Sequence, residues 1–170
     1  MIRKARPSDC LDLAALSLQV WLHTYAIQGL RAKLSHYALS TFTEHHFQQI
    51  LSNPACQIWV YRQEEHLVGF ISVDLDSTFN DEDYGYEVTT LYVSEHFQGQ
   101  GVGRKLLDEV KVQHGDLFWL SAWVNNQKAI DFYRKYGFKE VGELNFELEG
   151  ELHQNHVFCY SDAASTQILK

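Results

Sequence analysis

A chain of 170 residues, 45% hydrophobic and 14% aromatic, has the length of one domain and enough apolar content for a sizeable core, which excludes a disordered chain. Its formal charge of −8 argues against a nucleic-acid binder, which needs a basic face to displace counterions, and leaves room for a cationic substrate or a locally held anion. Cys10, Cys56 and Cys159 form neither a disulfide framework nor a zinc set, and no apolar run suits a signal segment or a bilayer span, so a cytoplasmic protein with no membrane contact is expected.

Ile2 to Arg6 reads as a short strand, stopped by Pro7-Ser8-Asp9, which also caps a helix. Leu11, Ala14, Ala15, Leu18 and Leu22 recur at helical spacing through about Thr24, and a second helical region, rich in aromatics and histidines, ends before Ser52-Asn53-Pro54. Strand-like runs follow at 56–62 and 67–75 around a polar turn, and Tyr84 to Val93 is a third strand. A glycine loop then opens a helix to about His114, residues 117–123 form a strand, and Asn126 to Tyr136 is a helix ended by Gly137. Phe138 onward and Gln154 to Tyr160 close the domain, which spans 1–160 and leaves a polar tail at 161–170. Short connections make the middle strands antiparallel, while the strand–helix–strand crossover from 84 to 123 makes that pair parallel, so the expected architecture is a mixed α/β sheet.

Gly99, Gly101 and Gly103 stand at the mouth of the helix, where bare amides at a positive helix end can hold an anion. A Walker loop would need Lys-Ser/Thr after the last glycine, and Arg104-Lys105-Leu106 stands there. A dinucleotide fingerprint would need glycine at Arg104 or Leu106. Both nucleotide readings fail on residue type, and a pyrophosphate cradle is what the loop retains.

These residues resemble the Gcn5-related N-acetyltransferase (GNAT) family. Leu91-Tyr92-Val93 is followed after four residues by Gln98-Gly99-Gln100-Gly101-Val102-Gly103, matching the family's strand end and Gln/Arg-x-x-Gly-x-Gly/Ala loop. One strand later Asn126, Ala129, Phe132, Tyr133, Gly137 and Phe138 fit its second signature, and the opening Ile2 to Asp9 is similar to the family's start. The resemblance implies a V-splayed mixed sheet of about seven strands, with acetyl-coenzyme A in the gap. The backbone of Leu91, Tyr92 and Val93 would pair with the pantetheine arm. The amides of Gln98, Gly99, Gln100, Gly101, Val102, Gly103 and Arg104 would hold the pyrophosphate. It implies direct acetyl transfer to a primary amine in a ternary complex, and many such proteins are homodimers. A non-catalytic acyl-coenzyme A sensor on the same fold is the rival reading.

Such a transfer needs a neutral amine, a stabilised carbonyl oxygen and a proton for the departing thiolate. The resemblance puts Tyr133 in the last role, although Ala129, Phe132, Tyr133 and Tyr136 also form a stripe that suits core packing. Glu87, on an otherwise uncharged strand, stands eleven positions before Gln98, the offset of the base glutamate in the family's histone-acetylating branch, so the resemblance makes it the candidate base; a solvated carboxylate at a strand's beginning, with a water relay as the base, is the plain alternative. Asn126 caps its helix and by resemblance contacts the coenzyme arm. The acidic stretch from Asp76 to Glu87 fails as a calcium loop, with Thr78 and Asp81 at positions needing an acidic ligand and a glycine, and is expected to rim a site for a cationic amine. The nine histidines show no metal-ligand spacing, so no metal is expected. The acceptor is a small-molecule or peptide amine whose identity the stretch from Trp21 to Leu51 does not disclose.

Overall fold

The protein, described by a computed structural model over residues 1–162, is built on a seven-stranded sheet. The expected tail from Ser161 lies outside these residues except for Ser161 and Asp162. In chain order the elements are β1 (Ile2–Lys4), α1 (Cys10–Tyr25), α2 (Ala32–Thr41), α3 (Glu44–Ser52), β2 (Cys56–Gln63), β3 (His66–Asp74), β4 (Tyr86–Val93), α4 (Val102–His114), β5 (Phe118–Trp123), α5 (Gln127–Tyr136), β6 (Lys139–Leu148) and β7 (Glu151–Tyr160). The strand order is β1-β2-β3-β4-β5-β7-β6, antiparallel throughout except for β4 and β5. None of the described helices is long and apolar enough to cross a membrane.

Two elements differ from expectation. The aromatic helical region is two helices, because the chain turns at Phe42-Thr43 and the Thr43 hydroxyl accepts the His46 amide at 3.1 Å to start α3. Strand β7 starts three residues before Gln154. A two-residue turn at Glu149-Gly150, both with positive φ, joins β6 to β7 in the way that hairpin twist demands.

The sheet opens where the site lies. Parallel β4 and β5 pair only at Tyr86↔Phe118 and Glu87↔Trp119. On the other side of β4, Ser72 pairs with Thr90 and Val73 with Val88, so Thr89 is an extra, unpaired residue. Such a bulge bends its strand and increases its twist, which carries the end of β4 away from β5. The backbone groups of Val88 to Val93 that face β5 are therefore left without a strand partner.

Both sheet faces are covered. On one, α4 and α5 bury Leu106, Leu107, Val110, Ile130 and Tyr133 against Ile71, Val88, Phe118, Leu120 and Phe158. On the other, α1 and α3 bury Leu13, Leu16 and Phe47 against Ile58, Val60 and Phe70. Trp21, Leu34, Ala38 and Leu148 join α1 and α2 to the β6–β7 hairpin. Arg31 reinforces that junction with a two-pronged ion pair to Glu151, at 2.8 and 2.5 Å.

Candidate active site

A cleft of about 1370 Å³ follows the divergence of β4 and β5, floored by both strands and walled by α1, α2, the start of α4 and α5. The three loop glycines serve it in two ways. Gly99 and Gly101 hold left-handed angles (φ +76° and +80°) with open space where a Cβ would stand. Gly103 is instead a packing position, since a Cβ there would meet the Phe132 ring at 3.3 Å. The first helical bond of α4 runs from Lys105 N–H to the Gly101 carbonyl at 3.0 Å, so the amides of Val102, Gly103 and Arg104 have no acceptor within the helix.

The expected cofactor residues collect around this opening. Leu91, Tyr92, Val93, Gln98, Gly99, Gly101, Val102, Gly103, Arg104 and Asn126 all line the cleft, whereas Gln100 points its amide back to the His96 carbonyl at 3.0 Å and does not. Gln98 braces the loop: its amide donates to the Val93 carbonyl at 3.0 Å, and its carbonyl accepts from Lys128 Nζ at 2.5 Å. The Arg104 guanidinium lies over the Tyr136 ring at 5.7 Å. The Lys105 ammonium lies over Tyr61 and does not line the cleft, whereas Lys128 and Lys135 do. Asn126 caps α5 by accepting the Ala129 amide at 3.2 Å, as its type and position require.

Tyr133 projects from α5 into the cleft, 9% exposed and packed against Phe138 and Phe158. Burial, joined by the nearby Tyr25 phenol, pushes its pKa well above the ordinary phenol value, so it stays protonated. Its neighbour in the stripe, Tyr136, donates to Asp108 at 2.7 Å and is engaged elsewhere.

Glu87 and the acidic segment are placed differently from expectation. Glu87 sits where β4 and β5 are still paired, does not line the cleft, and accepts from the Ser77 hydroxyl at 2.5 Å. Burial and Asp74 raise its pKa, and the Ser77 bond opposes that rise. The stretch from Asp76 to Asp83 crosses the far end of β4; its Asp83 borders a separate hollow of about 540 Å³, and no residue of the stretch reaches the cleft. The acidic rim is therefore absent, because the closed end of the V separates those carboxylates from the open end. Among the described residues no Asp or Glu lines the cleft, and those with charged or titratable side chains other than tyrosines are His23, His46, Arg104, Lys128 and Lys135. Burial lowers the His46 pKa and favours neutral imidazole.

A model of the acetyltransferase (GNAT) domain matches residues 54–140, which carry β4, the glycine loop, the cleft floor and α5. The chain belongs to the GNAT acetyltransferase family. Among its GNAT relatives, an uncharacterized N-acetyltransferase of Bacillus subtilis (strain 168) is 30% identical over 156 residues, 88% of this chain and 86% of that one. The spermine/spermidine N(1)-acetyltransferase of the same strain is 33% identical over 94 residues, 51% of this chain and 61% of its own length. The PaiA N-acetyltransferase of Thermoplasma acidophilum, solved in complex with coenzyme A, shares the GNAT fold with a TM-score of 0.75 at 18% identity, covering 95% of this chain and 98% of that one.

Two features of this GNAT chain escape a reading by motif. Tyr25, Tyr37 and Tyr92 line the cleft beside Tyr133, and neighbouring phenols add to the rise in pKa that burial gives Tyr25, Tyr92 and Tyr133. Burial pushes Tyr25 up to about 12 and Tyr92 higher still. These residues lie on α1, α2, β4 and α5, so only the fold brings them together; Trp21 and Tyr25, four apart on α1, were the local hint. The second feature is outside the cleft. An extra residue at Val141 shifts the β6 register, so Glu140 and Glu143 share a face with His156, their ligand atoms within 4.8 Å of one another. The outer carboxylate oxygens are engaged by Arg134 at 3.3 Å and Gln154 at 2.6 Å.

Proposed function

We propose that this protein is an acetyl-coenzyme A-dependent N-acetyltransferase that passes the acetyl group directly to a primary amine held in the same cleft, with Tyr133 as the proton donor to the leaving thiolate. The free edge of β4 is the observation that carries this reading. It offers backbone groups to an extended amide-bearing arm as a neighbouring strand would, and it leads straight to the unpaired amides of α4. Arg104 and Lys128 add positive charge at that end, where phosphates would lie. The residues therefore fit coenzyme A as a substrate, with Leu91, Tyr92 and Val93 along the arm, and Gln98, Gly99, Gly101, Val102, Gly103 and Arg104 at the pyrophosphate.

In the reaction the amine nitrogen forms a bond to the thioester carbon and the carbon–sulfur bond breaks. The sulfur takes the proton of the Tyr133 phenol, which regains one from the amine through solvent. A protonated, buried phenol suits this role, since it donates without first having to be charged. An acetyl-enzyme route through a thiol is disfavoured: Cys10, Cys56 and Cys159 lie outside the cleft, and burial raises each thiol, Cys159 to about 11. Relatives named for spermine and spermidine acetylation support an amine as acceptor.

Initial-rate kinetics test the proposal. Thiol release should match the N-acetylated amine mole for mole, with intersecting double-reciprocal plots. Parallel plots, or thiol release at full rate without any amine, would contradict direct transfer.

A further inference from the structure

Among the described residues none brings a carboxylate to the cleft, and that bears on which amine it accepts. At pH 7 an alkyl ammonium arrives charged, and a site built for it would pair the charge or place it over open aromatic faces. No described residue of the cleft supplies a carboxylate for such a pair, and the Tyr25 ring has both faces covered. The cationic side chains of the cleft would repel it, and the acidic segment lies beyond the closed end of the V.

The aromatic wall also presents the wrong geometry for a cation. Trp21 stacks on Tyr25 with centroids 4.7 Å apart, and Tyr25 stacks on Trp123 at 4.8 Å, so both faces of the Tyr25 ring are covered. The other side of Trp21 is taken by Tyr37 at 5.0 Å. The negative faces of Tyr25 and Trp21 are spent within the stack, and these two rings turn their positive edges outward. Such a wall suits an apolar group.

The polar groups beside it are neutral. Tyr25 and Tyr92 keep their protons and can each accept an N–H as well as donate. Asn155 of β7 lines the cleft next to Ser121, to whose hydroxyl oxygen it donates at 3.1 Å, while its own amide oxygen is buried without a partner. A buried acceptor left unpaired is unfavourable until a donor arrives.

Resting on the acetyltransferase reading above, we propose that the acceptor is a weakly basic primary amine that enters neutral and carries an apolar group beside it. The α-amino group of an apolar amino acid, in a peptide or as a free amide, has that chemistry, and a polyamine does not. The apolar side chain lies along the Trp21–Tyr25–Trp123 stack, and the amine N–H is received by Asn155 and the phenols. Basicity sets the scale. At pH 7 about one alkyl amine in 2,500 is neutral, against about one α-amine in seven, which is a gap of roughly 300-fold.

The test measures thiol release from acetyl-coenzyme A across pH with three acceptors: the peptide Leu-Gly-Gly-amide, leucinamide and spermidine. At pH 7 kcat/KM should be at least about 100-fold higher for the better leucine acceptor than for spermidine, and each profile should level off at that amine's own pKa. The leucine pair distinguishes a peptide end from a free amino-acid derivative. Spermidine equalling either, or one break at the same pH for all three, would overturn the inference while leaving acetyl transfer intact. Release with no amine at any pH would instead strike at the acetyltransferase reading itself. Asn155→Asp puts a carboxylate at nearly constant shape where the amine is received, and should raise the spermidine-to-peptide ratio at least about tenfold. An unchanged ratio in a variant that still binds coenzyme A would remove Asn155 from the acceptor site.

Discussion

Substituting Gly101 by glutamate tests the proposed phosphate cradle apart from every other feature of the cleft. The residue caps α4 at φ +80°, where a side chain costs about 1–2 kcal/mol in backbone strain. Space is not a factor, since a Cβ there meets nothing within 4 Å. Gly101→Ala and Gly101→Glu should therefore lose similar stability, a fall of about 2–8 °C in Tm for a chain of this size. They should differ with coenzyme A. At a hundredfold excess over Kd, wild type gains about 2.7 kcal/mol, or about 5–10 °C, by mass action. The alanine variant should keep most of that rise, whereas the glutamate places a negative side chain over the free amides of Val102 and Gly103 and should abolish it. Differential scanning fluorimetry over a coenzyme A titration reads both effects. An undiminished rise in Gly101→Glu would put the pyrophosphate elsewhere and refute the cradle.

Two other substitutions probe the remaining charges. Glu87→Gln should leave the pH–rate profile superimposable on wild type, because the carboxylate lies behind the closed end of the V, bonded to Ser77. A profile that loses a step would return Glu87 to the mechanism. Asp9 is 2% exposed, bonded to Arg3 at 2.8 and 2.9 Å and to Arg62 at 2.9 Å, and Asp9→Asn should cost about 3–5 kcal/mol in chemical denaturation. Arg3, chiefly, holds this carboxyl below its usual range, so its stabilisation is full above the unfolded-state pKa near 4 and fades as pH falls through the lower folded value. Equal loss of stability in both proteins between pH 5 and pH 2 would contradict that.

The parts legible in the sequence were those fixed by contiguous residues. Glycines 99 and 101 stand where the backbone adopts left-handed angles, and Asn126 and Gly137 bracket α5 because a cap and a stop are local chemistry. The parallel β4–β5 pair followed from a crossover rule, and the splay followed only by resemblance, since its cause is one extra residue, Thr89, with no mark of its own. Glu87 shows the limit. Its offset from Gln98 was right for the strand, but whether it faces the open or the closed end depends on where β4 and β5 part. The phenols of Tyr25, Tyr37, Tyr92 and Tyr133 come from four elements and meet only in the folded cleft. Beyond the Trp21–Tyr25 spacing on α1, their separate neighbourhoods do not announce a shared site.

The central claim is that acetyl transfer occurs beside the Tyr133 phenol. Single-turnover mixing of the acetyl-coenzyme A complex with a saturating amine isolates the chemical step, and Tyr133→Phe removes the hydroxyl while keeping the ring against Phe138 and Phe158. The transfer rate should fall by about tenfold to a thousandfold, up to roughly 4 kcal/mol of transition-state stabilisation, with coenzyme A binding and Tm nearly unchanged. A variant that transfers acetyl at the wild-type single-turnover rate would contradict the account and leave Tyr133 as a packing residue.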